Sequence, residues 1–137
     1  METKTARNIM RSIDACMSPH LTLDKVSDHL SKHHLTGVPV VDENSKLIGF
    51  ISEYDCVKQL IQSAYYCDNT ALAQDVMNSS NFTSCRPDIS VVDLAAEMNK
   101  NTINVMPVVE DSIVLGVVSR GDVMRELVQN LDVCAIP

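Results

Sequence analysis

The stretch at residues 42–55 decides the fold because it recurs; it reads Asp-Glu-Asn-Ser-Lys-Leu-Ile-Gly-Phe-Ile-Ser-Glu-Tyr-Asp. Residues 110–122 read Glu-Asp-Ser-Ile-Val-Leu-Gly-Val-Val-Ser-Arg-Gly-Asp. Three residues recur at a separation of 67 positions, in the pairs Gly49 and Gly116, Ser52 and Ser119, and Asp55 and Asp122. Self-similarity at a constant period indicates a repeat architecture.

The repeat extends upstream from these stretches. Pro39 and Pro107 stand in matching Pro-Val-Val contexts 68 positions apart, and Met10 and Met77 are again 67 positions apart. One insertion and one deletion reconcile the two registers. We therefore divide the chain into residues 1–66 and residues 67–137, with the joint at residues 64–69.

Each copy predicts the same order of secondary structure. A helix follows an N-cap residue, Thr22 or Ser90, because apolar residues then recur at a spacing that places them on one helical face. Two β-branched runs come next, and the turn residues between them favour a hairpin. A second helix begins at Ser52 or Ser119, with an aspartate in its first turn.

A short strand is also predicted before the first helix of each copy, near residues 15–17 and 82–85. The order is then β-α-β-β-α twice, which is an α+β fold. Neither half is long enough to bury both faces of a three-stranded sheet alone. We therefore expect the two sheets to pack on each other as one pseudo-twofold unit.

The composition describes an acidic globular domain. The 137 residues are 45% hydrophobic, and 11 Lys and Arg against 18 Asp and Glu give a formal net charge of −7. Nucleic acids and anionic membranes are bound mainly by clustered basic residues, and the chain has no Trp and only two Phe for stacking on bases. We expect neither a nucleic-acid partner nor a membrane partner.

Location and cysteine chemistry also follow from the sequence. Apolar runs fall far short of the roughly 20 residues that a membrane helix needs, and the N-terminus has no apolar signal region. We therefore expect a cytoplasmic protein. The cysteines form no Cys-x-x-Cys pair, which predicts mostly core or half-buried thiols rather than a disulfide framework, at Cys16, Cys56, Cys67, Cys85 and Cys134.

The recurring residues resemble a known family. The first copy carries Gly-Val-Pro-Val-Val-Asp at 37–42 and Leu-Ile-Gly-Phe-Ile-Ser-Glu-Tyr-Asp at 47–55. The second carries Val-Met-Pro-Val-Val-Glu at 105–110 and Leu-Gly-Val-Val-Ser-Arg-Gly-Asp at 115–122. These strings resemble a tandem pair of CBS (cystathionine-beta-synthase) domains, a Bateman module, over nearly the whole chain.

The resemblance implies a regulatory module that binds AMP, ADP, ATP or S-adenosylmethionine in two clefts between the repeats. In similar modules, the strand before the Pro-Val-Val of one repeat faces the Ser-x-x-Asp helix start of the other. Cleft one would combine Ala15, Leu35, Thr36, Gly37 and Pro39 with Ser119, Arg120 and Asp122. Cleft two would combine Thr83, Ile103, Asn104, Val105 and Pro107 with Ser52, Tyr54 and Asp55.

The chemistry of the Ser-x-x-Asp residues agrees with that implication. One ionised carboxylate accepts hydrogen bonds from both hydroxyls of a ribose, which suits Asp122 or Asp55. Ser119 and Ser52 would present a hydroxyl and the N–H groups of a helix N-terminus to a phosphate. The alternative is that Ser-x-x-Asp only caps the helix.

The two clefts are predicted to differ in charge. Arg120 stands where the other repeat has Glu53, which would repel a phosphate. Our hypothesis is that cleft one binds phosphorylated nucleotides better, and that cleft two takes an uncharged or cationic adenosyl group, or no ligand. The alternative is that both charges are simply solvated. Because few basic residues are expected near either cleft, di- and triphosphates should bind weakly or need Mg²⁺.

Other constellations predict no catalysis and no metal site. The sequence contains no nucleophile motif and no Walker loop, so we expect no enzyme. His29 and His33 have the i, i+4 spacing of metal ligands, but a third ligand is not evident, and exposed histidines are the favoured interpretation. Cys56 follows Asp55 at a helix N-terminus, where a thiol can be activated.

The resemblance therefore implies a sensor module that signals to an unidentified effector protein on another chain. The family usually forms disc-like homodimers, and the apolar helix faces after Asp55 and Asp122 are the candidate dimer surfaces. The alternative is a ligand-free dimerisation or partner-docking module with the same fold.

Overall fold

The two repeats fold alike in a computed structural model that describes residues 4–131. The first contains α1 (Ala6–Ile9), β1 (Arg11–Ser12), a 3₁₀ turn (Ile13–Ala15), α2 (Leu23–His33), β2 (Gly37–Val41), β3 (Leu47–Ser52) and α3 (Glu53–Tyr66). The second contains α4 (Ala73–Val76), α5 (Val91–Lys100), β4 (Val105–Glu110), β5 (Ile113–Ser119) and α6 (Arg120–Gln129). The predicted α+β fold with two repeats is confirmed.

Both predicted hairpins are present and share an irregularity. Strands β2 and β3 pair antiparallel with a register shift between Val40 and Val41. Strands β4 and β5 pair in the same way, with the shift between Val108 and Val109. The duplication therefore extends to a β-bulge at matching positions, which increases the local twist of each hairpin.

The strands predicted near residues 15–17 and 82–85 are wrong. Met17 and Cys85 each form only a single parallel bridge, to Val40 and Val108 respectively, and Ala15 lies in the 3₁₀ turn. In each copy the next backbone donor along that ladder would belong to a proline, at Pro19 and Pro87. Proline has no N–H group, so the ladder ends after one bridge.

The short helices α1 and α4 are exchanged between the repeats. Ala6 donates its backbone N–H to the carbonyl of Ile89 (2.9 Å), and Ala73 donates to the carbonyl of Leu21 (2.8 Å). Both alanines are fully buried. Ala6 packs in the core of the second repeat and Ala73 in that of the first, so each repeat completes the core of the other.

The division of the chain between residues 66 and 67 stays a prediction.

Strand β1 brings the N-terminal segment to the second repeat. Arg11 pairs with Val117 and Ser12 with Gly116 on the edge of β5. At the matching place in the first repeat, Asn78 bridges to Phe50 of β3. A Cβ at Gly116 would overlap the backbone oxygen of Arg11, so this close approach requires glycine.

Among residues 4–131, no helix is long and apolar enough to cross a membrane. Of the cysteines, Cys16 and Cys56 are buried, Cys85 is half-buried and Cys67 is exposed. Cys134 lies outside the described residues.

Candidate functional site

Both Ser-x-x-Asp sequences form capping boxes at the start of α3 and α6. Asp122 donates its N–H to Ser119 Oγ (3.1 Å), and Ser119 donates its N–H to Asp122 Oδ2 (2.9 Å). Ser52 and Asp55 exchange the same two hydrogen bonds, each 3.2 Å long. The capping interpretation is therefore confirmed as a structural role, and each capping serine also lines a cleft.

Cleft two is a cavity of about 550 Å³ between the repeats. Six of the eight residues assigned to it line the cavity, namely Ser52, Tyr54, Thr83, Ile103, Asn104 and Val105. Of the others, Pro107 is buried in β4, and Asp55 belongs to the cap behind Ser52. Of the residues assigned to cleft one, Thr36 lines both cavities, and Gly37 lines cleft two rather than cleft one.

Cleft one is smaller, at about 350 Å³. Among the residues assigned to it, Leu35, Thr36, Ser119 and Arg120 line the cavity. Ala15 and Pro39 are buried away from it. Asp122 does not line cleft one itself, but its carboxylate accepts hydrogen bonds from two arginines that do, Arg11 and Arg125.

Arg11 and Arg125 bind the Asp122 carboxylate from two sides. Arg11 Nε lies 3.0 Å from Oδ2 and Arg11 Nη2 lies 3.2 Å from Oδ1, while Arg125 Nη2 donates to Oδ1 at 2.6 Å. Arg11 Nη1 also donates to the carbonyl of His33 (2.5 Å). Burial alone would raise the pKa of Asp122, but the hydrogen bonds from Arg11 and Ser119 and the charge of Arg11 outweigh it and lower the pKa.

The expectation of few basic residues near either cleft is wrong for cleft one. Arg11, Arg120 and Arg125 all line it, together with His34. Arg11 was missed because it is far from Ser119 in sequence and arrives there through the pairing of β1 with β5. The repeat period of 67 could have identified Arg11, because it aligns Arg11 with Asn78, and Asn78 lines cleft two.

The lining residues of the clefts correspond pairwise but differ in chemistry. Where cleft one has Arg11, Arg120 and Gly121, cleft two has Asn78, Glu53 and Tyr54. Phe50 and Phe82 also line cleft two. Among the described residues, those lining cleft two include no Lys or Arg. Cleft one is therefore lined by three cationic side chains, and cleft two by aromatic side chains and one carboxylate.

The two clefts share part of their walls. Thr36, Asn104 and Val105 line both cavities. The carbonyl of Thr36 accepts the N–H of Glu53 (2.8 Å), and the carbonyl of Asn104 accepts the N–H of Arg120 (2.9 Å). A ligand in either cleft would therefore contact residues whose carbonyls are hydrogen-bonded to the first turn of α3 or α6.

The histidines and cysteines outside the clefts show little sign of chemistry. His29 and His33 are half-buried rather than exposed, and His29 Nε2 lies 2.8 Å from the carbonyl oxygen of Ala15. Within residues 4–131, no three His, Cys, Asp or Glu side chains are grouped to hold a metal ion. Burial, with the nearby Asp55 and Glu53 charges, raises the pKa of Cys56 to about 11, which disfavours an activated thiolate.

Comparison with known proteins agrees with this geometry. The protein-family model of the CBS domain matches the chain twice, at residues 6–62 and 73–129. L-aspartate semialdehyde sulfurtransferase of Methanocaldococcus jannaschii is 31% identical over 107 residues, which cover 77% of this chain and 20% of that enzyme. The chain thus spans about a fifth of the length of this relative.

Two solved structures of similar domain pairs were determined with adenosyl ligands. The CBS domain pair of protein MJ0100, in complex with 5′-methylthioadenosine and S-adenosyl-L-methionine, is 26% identical with a TM-score of 0.78, covering 94% of this chain and 99% of that one. CBSX2 from Arabidopsis thaliana, in complex with AMP, is 25% identical with a TM-score of 0.75, covering 92% and 97%. The chain belongs to the CBS-domain family, as a tandem pair of CBS domains.

Proposed function

We propose that this chain is a non-enzymatic regulatory module that binds adenosyl ligands in its two inter-repeat clefts. The observation that carries the proposal is the pair of corresponding cavities, each lined by the capped N-terminus of a helix and each with different side-chain chemistry. The complexes of two similar domain pairs with adenosyl ligands support the ligand class.

Cleft two is proposed to take an uncharged or cationic adenosyl group. The rings of Phe50, Phe82 and Tyr54 offer apolar surface on which a purine can stack. Glu53 disfavours a phosphate and favours a cationic sulfonium. S-adenosylmethionine and 5′-methylthioadenosine have these properties, and the domain pair of MJ0100 was solved with both.

Cleft one is proposed to take a phosphorylated nucleotide such as AMP. Arg11, Arg120 and Arg125 supply positive charge, and the N-terminus of α6 supplies backbone N–H groups. This cluster removes the reason for expecting weak polyphosphate binding or a need for Mg²⁺. The assignment of Asp122 to the ribose hydroxyls stays a prediction.

A thermal-shift experiment tests the proposal. A ligand that binds only the folded state stabilises it by about 2.7 kcal/mol at 100 times its dissociation constant. We expect AMP, 5′-methylthioadenosine and S-adenosylmethionine each to raise Tm. Ribose 5-phosphate, which lacks the base, is the control and should raise Tm less. The absence of a shift with every adenosyl ligand would contradict the proposal and favour the ligand-free docking module.

We also propose a homodimer, which the apolar faces of α3 and α6 support. Val57, Leu60 and Ile61 on α3 and Met124 and Val128 on α6 are exposed. Large contiguous patches of exposed apolar side chains are uncommon on soluble monomers and are typical of protein–protein contacts. Signalling to an effector and a cytoplasmic location stay predictions.

Light scattering tests the dimer. Ile61→Glu should lower the average mass toward that of one chain, because a charge in an apolar contact is costly to bury. Val92→Glu on α5, which is equally apolar and exposed, is the matched control. A wild-type mass of one chain at high concentration would overturn the dimer and leave the ligand proposal untouched.

A further inference from the structure

We propose that Arg11 sets the ligand specificity of cleft one, because a ligand can reach Asp122 there only by supplying the Arg11 guanidinium with another anion. Phosphorylated nucleotides meet that condition and nucleosides do not. The inference rests on the proposed function, which it deepens by naming the residue that selects the ligand.

The contacts of Asp122 leave little room for a ribose. Arg11 engages both carboxylate oxygens (3.0 and 3.2 Å), and Arg125 adds a third contact of 2.6 Å. Ser119 N–H donates to Oδ2 as well. The carboxylate side chain is only 11% exposed. A ribose hydroxyl can therefore gain these oxygens only if an arginine moves away from them.

Moving Arg11 is costly unless another anion replaces the carboxylate. Its side chain is 30% exposed, so it lies partly out of water, and leaving its charge without an anion is unfavourable, though less so than for a fully buried charge. A nucleoside brings only hydroxyls and a base to the cleft. A 5′-phosphate brings the missing anion, so Arg11 can pair with it while Asp122 turns to the ribose. This exchange balances charge without any proton transfer.

The corresponding position in cleft two shows the opposite arrangement. Asn78 stands in place of Arg11, and its side chain is engaged locally: Nδ2 donates to the carbonyl of Asn81 (3.0 Å), and Oδ1 accepts the N–H groups of Ser80 and Asn81. Within the described part of the chain, the recorded hydrogen bonds of the Asp55 side chain are to Ser52. An uncharged ligand can approach Asp55 without separating an ion pair.

Arg11 also joins cleft one to the end of α2. Its Nη1 donates to the carbonyl of His33, the last residue of that helix. A guanidinium that shifts from Asp122 toward a phosphate would alter this contact too. Ligand binding in cleft one would therefore change a hydrogen bond at the C-terminal end of α2.

The test is the substitution Arg11→Asn, which gives cleft one the residue of cleft two. Binding of AMP and adenosine is followed by NMR through the amide of Gly121, which lines only cleft one, with Tyr54 reporting on cleft two. We expect AMP affinity at Gly121 to fall about tenfold or more, equivalent to about 1.4 kcal/mol, and adenosine affinity there to rise. Arg86→Asn, which removes an exposed arginine paired with Asp88, is the charge control.

The reverse substitution, Asn78→Arg, tests the role of the arginine in cleft two and is used if Arg11→Asn does not fold. It should place a guanidinium beside Asp55 and weaken adenosine at Tyr54 more than it weakens AMP. An AMP-to-adenosine affinity ratio at Gly121 that is unchanged by Arg11→Asn would overturn the role of Arg11 while leaving the proposed function intact. If neither ligand binds to the wild-type chain or to either variant, and 5′-methylthioadenosine and S-adenosylmethionine do not bind to the wild-type chain, the proposed function itself is overturned.

Discussion

Cleft one and cleft two are built from corresponding elements and present opposite charges to a ligand. Both lie beside a hairpin with the same bulge and a helix with the same capping box. The difference comes from a few lining positions, above all Arg11 against Asn78 and Arg120 against Glu53. In this chain the duplicated backbone determines where the two clefts lie, and a few side chains determine the charge that each cleft presents.

The largest predicted difference between the two halves concerns Gly116 and Gly49. A Cβ at Gly116 would overlap the backbone oxygen of Arg11, whereas a Cβ at Gly49 would lie 2.5 Å from the flexible Met77 side chain. We expect Gly116→Ala to cost about 3 kcal/mol of unfolding free energy and Gly49→Ala about 1 kcal/mol. Urea unfolding of both variants measures the difference, and equal losses would show that β1 does not hold Arg11 as tightly as described.

The next effect separates the two capping aspartates. Asp122→Asn leaves Arg11 without a carboxylate and should cost about 1–2 kcal/mol, less than for a fully buried pair because Arg11 is 30% exposed. Asp55→Asn keeps Ser52 as the N-cap and an amide oxygen that can accept the Ser52 N–H, so the loss of charge in the first turn should cost only about 0.5 kcal/mol. Urea unfolding at neutral pH gives both values. A larger loss for Asp55→Asn would contradict the contrast between the clefts.

Acid should remove the same contribution from the wild-type chain. The pKa of Asp122 lies below its ordinary value, so the unfolded chain binds more protons there than the folded chain as pH falls. The stabilisation from Asp122 is complete above about pH 4, the ordinary aspartate pKa, and is lost as pH falls through the lower folded pKa. The unfolding free energies of wild type and Asp122→Asn should therefore converge in acid, and a constant gap from pH 7 to pH 2 would contradict this cause.

The smallest predicted effect concerns the charge of Glu53 in cleft two. Glu53 is exposed, so its attraction for a cation is weakened by solvent, and Glu53→Gln should lower affinity for S-adenosylmethionine only about twofold to fivefold. The affinity for uncharged 5′-methylthioadenosine should not change. Calorimetry with both ligands measures the difference, and equal losses would point to a steric rather than an electrostatic role.

Local signals predicted most of the fold and part of the site. The hairpins and capped helices follow from residues close together in sequence, such as Ser119 and Asp122, and the structure contains them. No strand forms near Met17 because Pro19 has no N–H group to continue the parallel pairing with β2. The sequence shows this proline, but its effect depends on the pairing with β2, which local signals do not reveal.

The basic character of cleft one could not be derived from local signals. Arg11 reaches Asp122 through strand pairing between residues at opposite ends of the chain. A motif search centred on Ser-x-x-Asp finds Arg120 but not Arg11. Comparing the two repeats position by position would have identified Arg11 as a difference, though not its contact with Asp122.

We propose that the two clefts select different adenosyl ligands, and a competition titration tests this difference. 5′-Methylthioadenosine is titrated by calorimetry into the full chain saturated with AMP at its tighter site. We expect one molecule of each ligand to bind per chain, with the affinity for 5′-methylthioadenosine changed by less than about fivefold, the lower end of typical couplings between sites. Displacement of one ligand by the other at a single site would contradict it.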